Sequence, residues 1–275
     1  MKKQRNWREI GIGMVVPVLA IGIWQWVTSM GWVHPQVLPS PLAVWHKWVA
    51  YLLPLVPYAD YTEGGWWHWA FSGELIVDTL TSMYRVVVGF LIGGGLALPL
   101  GLAMGASNTV YAWMNPLVQI LRPIPPIAYI PLAMLWFGLG NPPAVFLIAL
   151  GAFFPVLMNT IAGVHHVDGI YLRAARNLGA GRLTMFVRVI LPAAVPYILS
   201  GVRIGIGTAF IVVIVSEMIA VNSGLDFRIS EAREYFWSDK VIAGMISIGL
   251  LGLAIDAGVN KLNNHLLRWH RGLEH

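Results

Sequence analysis

Six apolar runs, each near the length of a bilayer crossing, set the first constraint on this chain. They lie at about Ile10–Met30, Val86–Met104, Ala112–Leu139, Pro143–Val164, Pro196–Ile219 and Val241–Val259. A helix needs about 20 apolar residues to cross the hydrocarbon core of a bilayer. Of the 275 residues 57% are hydrophobic and only 11% are charged, against about 25% charged in an ordinary soluble domain. A water-soluble fold has too little interior to hide that much apolar surface. The expected fold is therefore an all-α integral membrane protein, one transmembrane domain over 1–275 with six spanning helices. The 29 glycines, 17 prolines and 13 tryptophans suit that class, because glycine and proline are tolerated in spanning helices and tryptophan anchors them at the lipid–water boundary. Cysteine is absent, which removes disulfides and thiolate chemistry.

The net charge of +5 is collected in three places. Lys2, Lys3, Arg5 and Arg8 precede the first run. Arg173, Arg176, Arg182 and Arg188 face a single Asp168 between the fourth and fifth runs. Lys261, Arg268 and Arg271 follow the sixth. Cytoplasmic loops carry an excess of Lys and Arg, so both termini and the segment 165–192 are expected in the cytoplasm, and six spans satisfy all three placements. A distribution set by topology leaves no basic face for nucleic acid. The first run continues to Val33 without a small-residue cleavage site, so it reads as an uncleaved span.

Between the first two runs, Leu38-Pro39-Ser40-Pro41 excludes mid-helix structure, and Ser40 is placed to cap a helix from Pro41 through Trp48. Pro54 to Trp69, with Asp60 and Glu63, reads as an exposed loop. Its Trp66-Trp67-His68-Trp69 cluster fits an interface belt better than a ligand stack. Glu74 to Arg85 reads as an amphipathic lead-in to the second run. That run holds Gly93-Gly94-Gly95 and the pair Gly101 and Gly105. Small residues four apart let helices approach closely in lipid, whereas a phosphate cradle would need a following Lys-Ser or Lys-Thr that is missing. The third run is broken at Leu121-Arg122-Pro123-Ile124-Pro125-Pro126, and irregular backbone at membrane depth is tolerated only where protein or water covers it.

The basic segment between runs four and five carries a pattern. Arg173, Ala174 and Ala175 are followed by Gly179, and Leu191-Pro192 comes about a dozen residues later. Small residues permit close approach of a partner, Gly179 suits a helix C-terminal cap, and Pro192 suits a helix start. The segment resembles the cytoplasmic coupling loop of ABC importer permeases. Arg173 stands where that family usually has Glu, and Val189 where it often has Ile. The stretches Leu121–Gly140, Gly201–Gly207, Leu38–Pro41 and the terminal Arg-Trp-His-Arg-Gly-Leu-Glu-His are similar to the nitrate, sulfonate, taurine and bicarbonate group. The resemblance implies a type I importer fold with a cytoplasmic coupling helix, in a bacterial inner membrane. It implies ABC ATPase subunits, a periplasmic or lipid-anchored solute-binding protein, and a second permease copy, most simply an identical one. The wording Arg-Pro-Ile-Pro-Pro and Trp-Phe-Gly-Leu-Gly is nearest to taurine and alkanesulfonate permeases, with nitrate, nitrite and bicarbonate as alternatives.

The chain has no GxxxxGK[ST] motif, so ATP and Mg are expected on the partner ATPase and no cofactor on this chain. No nucleophile elbow GxSxG occurs, and a catalytic role is not expected. Arg122, Arg203 and Glu217 are the candidates for a translocation pathway, because ionisable residues at membrane depth are costly and face a cavity or a partner. Arg122 reads either as an attractor for an anionic solute or as a structural residue bonding the carbonyls freed by the prolines. Arg203 reads more readily as an interface anchor. Glu217 reads as a gate or partner for Arg122 or Arg203, or as an outer carboxylate paired with Arg228 or Arg233. Asp256 lies close to Lys261 and reads as structural. His165 and His166 with Asp168 lack ligand spacing, so no metal site is expected. A secondary transporter is the competing class. It would need matching broken helices in both halves, and only one break is visible. A membrane-embedded enzyme would need a cluster of His, Asp or Glu near the boundary, which the chain lacks.

Overall fold

The computed structural model describes residues 7–58 and 65–266. Lys2, Lys3, Arg5, Asp60, Glu63, Arg268 and Arg271, on which parts of the topology and loop expectations rest, lie outside the described residues. Among the described residues all regular structure is helical. The helices are α1 (Trp7–Ser29), α2 (Pro41–Leu52), α3 (Trp66–Ala70), α4 (Glu74–Ala106), α5 (Asn108–Leu121), α6 (Ile130–Phe137), α7 (Asn141–His165), α8 (Gly169–Asn177), α9 (Arg182–Met185), α10 (Leu191–Ile219), α11 (Leu225–Glu234) and α12 (Ser238–Leu266).

Among the described residues four helical stretches are long and apolar enough to cross a membrane: Glu74–Ala106, Asn141–His165, Arg182–Ile219 and Ser238–Leu266. In α1 the stretch Gly13–Ser29 is apolar as well. Glu74 to Arg85, expected as an amphipathic lead-in to the second run, forms the opening turns of α4, which continues unbroken to Ala106. The third run differs from one straight span. It is α5 and, after a 3-10 turn at Pro126–Tyr129, α6, bent by 83°. Pro123, Pro125 and Pro126 offer no N–H to continue the ladder, which is why the helix stops at Leu121.

The chain divides into two compact units. One comprises Met1–Asp78 with Arg228–Ile248. In it Ser40 caps α2 by accepting from the Ala43 N–H at 3.2 Å, with Pro41 in the first turn. The Trp24 indole donates to the Pro39 carbonyl at 3.0 Å. Charged groups are collected around α2 and α11: Arg228 meets Asp78 at 3.0 Å and Glu231 at 3.0 Å, and Lys240 meets Glu74 at 3.0 Å. The Tyr51 hydroxyl donates to Asp78 at 3.0 Å. Burial, with the Asp78 carboxylate beside it, holds that phenol well above its usual range.

The other unit comprises Thr79–Phe227 with Gly249–His275, and α7 is its axis. On one side α4 approaches through glycines. A Cβ at Gly101 would lie 2.8 Å from the Thr160 Cβ, and one at Gly105 would lie 2.6 Å from the Val164 Cβ. On the other side a Cβ at Gly201 of α10 would lie 2.7 Å from the Asn159 Cβ. Of the Gly93-Gly94-Gly95 triplet only Gly93 meets α7, and Gly95 faces open space. Ala97, Ala144, Ala152, Ala194 and Ala209 are fully buried, while Leu91, Leu96, Ile211 and Leu253 are 62–68% exposed. Met104, Leu147, Ile148 and Leu157 fill the interior beside these alanines, and large apolar side chains on the outside as well fit helices packed in lipid, where hydrocarbon already solvates the outer face.

Candidate functional site

Helix α8 is short and polar, and local bonds define both its ends. Asp168 is the N-cap, its carboxylate accepting from the Ile170 N–H at 2.8 Å. At the other end the Gly179 N–H bonds the Arg176 carbonyl at 2.9 Å and the Ala180 N–H bonds the Ala175 carbonyl at 3.0 Å. Those two bonds form a Schellman cap, which needs a left-handed residue at the position Gly179 occupies, and its φ is +79°. Arg173, Ala174 and Gly179 are exposed, and Ala175 is half-buried. Ile170, Tyr171 and Leu178 are exposed too, Leu178 by 88%. The helix thus offers small and apolar side chains to a partner. Beneath it α8 lies against α9 and the turn leading into α10.

The structure departs from the sequence reading at Leu191-Pro192. Pro192 does not begin a separate helix. The chain is already helical from Arg182 and passes through a five-residue π turn, Phe186–Ile190, into α10. A proline clashes with the carbonyl four residues earlier in a regular helix, and the wider π turn lies where that clash would fall. The start of α8 carries a sequence signal in Asp168, since an Asp ahead of Gly-Ile-Tyr-Leu is the usual helix start.

The three pathway candidates fall in different surroundings. Arg122 caps the C-terminus of α5 and is exposed. It lines an open cavity of about 360 Å³ with Pro125, Pro126, Phe154, Met158 and Asn159. Asn159 donates to the Pro155 carbonyl at 2.8 Å. Arg122 has no carboxylate partner among the described residues. Arg203 instead pairs with Asp256 at 2.9 Å, both side chains being about half exposed, and Asn260 donates to the same carboxylate at 2.8 Å. Asp256 is therefore tied to Arg203 rather than to Lys261.

Glu217 is fully buried, and its partner is none of the arginines weighed from the sequence. It is Arg85 of α4, 2.6 Å away and itself 1% exposed. Arg85 Nε donates to Asn141 Oδ1 at 2.8 Å, Nη1 to the Ser223 carbonyl at 2.7 Å and Nη2 to Ser223 Oγ at 2.7 Å. The second Glu217 oxygen accepts from Ser82 Oγ at 2.8 Å and from the Asp226 N–H at 3.2 Å. Burial, with the Glu217 carboxylate next to it, raises the Asp226 carboxyl to about 7. One signal was available for Arg85: an arginine at the edge of an apolar run demands a partner as surely as Glu217 does.

His165 and His166 point to different neighbours, the rings of Tyr111 at 5.6 Å and Tyr197 at 5.2 Å. Among the described residues no three metal-binding side chains gather.

Comparison with known proteins gives a consistent result. The family model for binding-protein-dependent transport system inner membrane components matches residues 95–268. The putative aliphatic sulfonates transport permease protein SsuC of Bacillus subtilis is 35% identical over 99% of this chain and 91% of its own. The taurine transport system permease protein TauC of Escherichia coli is 33% identical over 96% and 91%. The bicarbonate transport system permease protein CmpB of Synechococcus elongatus is 32% identical over 96% and 93%. Among solved structures, a chain of the inward-facing MetNI methionine ABC transporter superposes with a TM-score of 0.61 at 18% identity. The match covers 74% of this chain and 99% of that one, a likeness of fold.

Proposed function

The chain belongs to the family of binding-protein-dependent transport system inner membrane components, and from that premise we propose how it works and what it carries. It is the membrane-spanning permease subunit of an ABC importer. Its solute is a small organic anion of the taurine and alkanesulfonate class. The relatedness to sulfonate and taurine permeases over almost the whole chain supports that class, and the comparable identity of a bicarbonate permease makes bicarbonate the second reading. The chain itself is non-catalytic. ATP and Mg are held by separate ATPase subunits, a solute-binding protein delivers the anion, and two identical permease copies frame the path. Both termini and α8 lie on the cytoplasmic side of the inner membrane.

The observation that carries this reading is α8. A nine-residue helix is marginal by itself, yet this one is capped at both ends and exposes Ile170, Tyr171 and Leu178. It is built to be gripped. Arg173, Ala174, Ala175 and Gly179 form the gripped surface, and Leu191-Pro192 lies where the π turn passes into α10, the helix that carries its displacement. ATP-driven closure of the ATPase around α8 shifts α7 and α10, a rigid-body switch between inward- and outward-facing states. Of the pathway candidates, Arg122 is the cation an anion meets. Arg203 and Glu217 have partners within the fold and hold helices together.

The test is ATP hydrolysis by the permease–ATPase complex in lipid, with its binding protein and taurine, nitrate or bicarbonate in turn. Stimulation by taurine alone is expected. Stimulation only by nitrate or bicarbonate rejects the sulfonate class, and failure to form any complex with an ATPase rejects the importer role.

A further inference from the structure

We propose that Arg85 and Glu217 are positioning residues for transport, a clamp that makes α4, α7 and α10 move as one body when α8 is displaced. The inference rests on the permease reading above. Helix α8 hangs between the C-terminus of α7 and the start of the helix leading into α10, so a push there enters both helices at one end. The clamp sits at the other. Asn141 is the first residue of α7, and Glu217 lies in the last turn of α10. The 25 residues of α7 put about 37 Å between these ends.

Packing alone does not fix how the helices slide along one another. Between their ends α4, α7 and α10 meet through glycines and alanines set against apolar side chains such as Val86, Ile148 and Val213, with the Thr208 hydroxyl of α10 donating to the Gly151 carbonyl of α7 at 2.9 Å, and in lipid no hydrophobic force makes the apolar contacts resist a small axial shear of α4. Hydrogen bonds with fixed lengths and angles do resist it. The Arg85 guanidinium joins three such partners at once: the Asn141 amide of α7, the Glu217 carboxylate of α10 and both oxygens of Ser223 beyond it. The Ser82 hydroxyl, one turn before Arg85, donates to Glu217 and accepts from the Leu225 N–H at 3.0 Å. The backbone is shaped to allow this. Gly224 has φ +108°, and a side chain there would strike the Glu217 carboxylate.

A buried ion pair is poor evidence for net stability, since apolar side chains of the same volume often serve as well. What this pair supplies is register. A planar guanidinium with its donors spoken for has one arrangement of its partners, so the far ends of the three helices follow whatever the near ends do.

The test uses the whole permease–ATPase complex in nanodiscs. The chain has no native cysteine, so single cysteines can report on each end. Leu178→Cys reports on α8, and Asn222→Cys, at an exposed position, reports on the far end. Labelling rates with a polar thiol reagent are compared without nucleotide and with ATP and vanadate. With the native clamp both positions are expected to change rate. With Arg85→Met/Glu217→Met, which removes both charges together, the change at 178 is expected to persist and the change at 222 to disappear. Arg85→Lys, which keeps the charge but not the fork, is expected to fold and to show a reduced change at 222. A native response at both positions in both variants overturns the clamp. Parallel loss at both positions in Arg85→Lys also overturns it, since that outcome means a role in folding only. Absence of any change at 178 in the native-clamp protein refutes the coupling assignment of α8, and the clamp with it.

Discussion

Two glycines two residues apart separate the conformational demand of the coupling segment from its sterics. Neither Gly179 nor Gly181 has any atom within 4 Å of the position a Cβ would take. Gly179 has φ +79° while Gly181 has φ −70°. An alanine at either site therefore adds the same methyl group to open space, and only the one at 179 is strained. A non-glycine residue in the left-handed region costs about 1–2 kcal/mol, which is a factor of about 5–30 in an equilibrium. Helix α8 is too short to absorb that loss, because its ends depend on the cap itself. Gly179→Ala is expected to unwind the last turn of α8 and to reduce binding-protein-stimulated ATP hydrolysis and taurine uptake by about that factor, and Gly181→Ala to leave both near normal. Gly179→Asn is expected to fall between them, since asparagine tolerates the left-handed region better than alanine. Assembly, read by co-purification in lipid, is expected to be least affected. Equal activities for Gly179→Ala and Gly181→Ala would refute the argument that the cap shapes the surface the ATPase grips.

Two further outcomes follow from the other sites. Arg122→Gln is expected to lower anion uptake without loss of assembled complex, whereas Arg203→Gln, which opens a half-exposed pair with Asp256, is expected to change uptake little; the reverse order in a proteoliposome assay would return Arg122 to a structural role. Asp226 governs a pH effect. Its folded-state carboxyl, raised to about 7, binds a proton more tightly than the unfolded one, so its contribution to stability is complete below the ordinary carboxylate range and is lost as the pH rises through 7. Melting temperature is expected to fall over that interval in the native protein and to fall less in Asp226→Asn, and identical pH profiles would count against it.

Much of this architecture was legible because membrane helices advertise themselves through length and lack of charge. The fourth run and α7 nearly coincide, and α10 ends at Ile219 as the sequence suggested. The Pro-rich break was visible too, since proline removes donors wherever it stands. Its 83° angle was not, because an angle depends on what α6 packs against, and Ala133 and Ile130 find Leu147 on α7 only in three dimensions. The opening of α4 was legible as an amphipathic lead-in, but not the cations its charges meet: Glu74 pairs with Lys240 and Asp78 with Arg228. The Arg85–Glu217 pair was hidden for a different reason. The partners are 132 positions apart, and nothing periodic links them. The sequence shows that Glu217 must have a cation, but offers several.

The π turn at Phe186–Ile190 gives the spacing of the coupling motif a geometric meaning. A π turn holds one residue more than the α turn it replaces, and each residue of a helix advances its face by about 100°. The interval between Gly179 and Leu191-Pro192 therefore works as a phase setting as well as a length. It fixes the direction in which Arg182 and Leu183 point relative to the spanning helix above them. Removing one residue from the turn would leave every side chain of α8 in place in the sequence and rotate the surface it presents by more than a quarter of a circle.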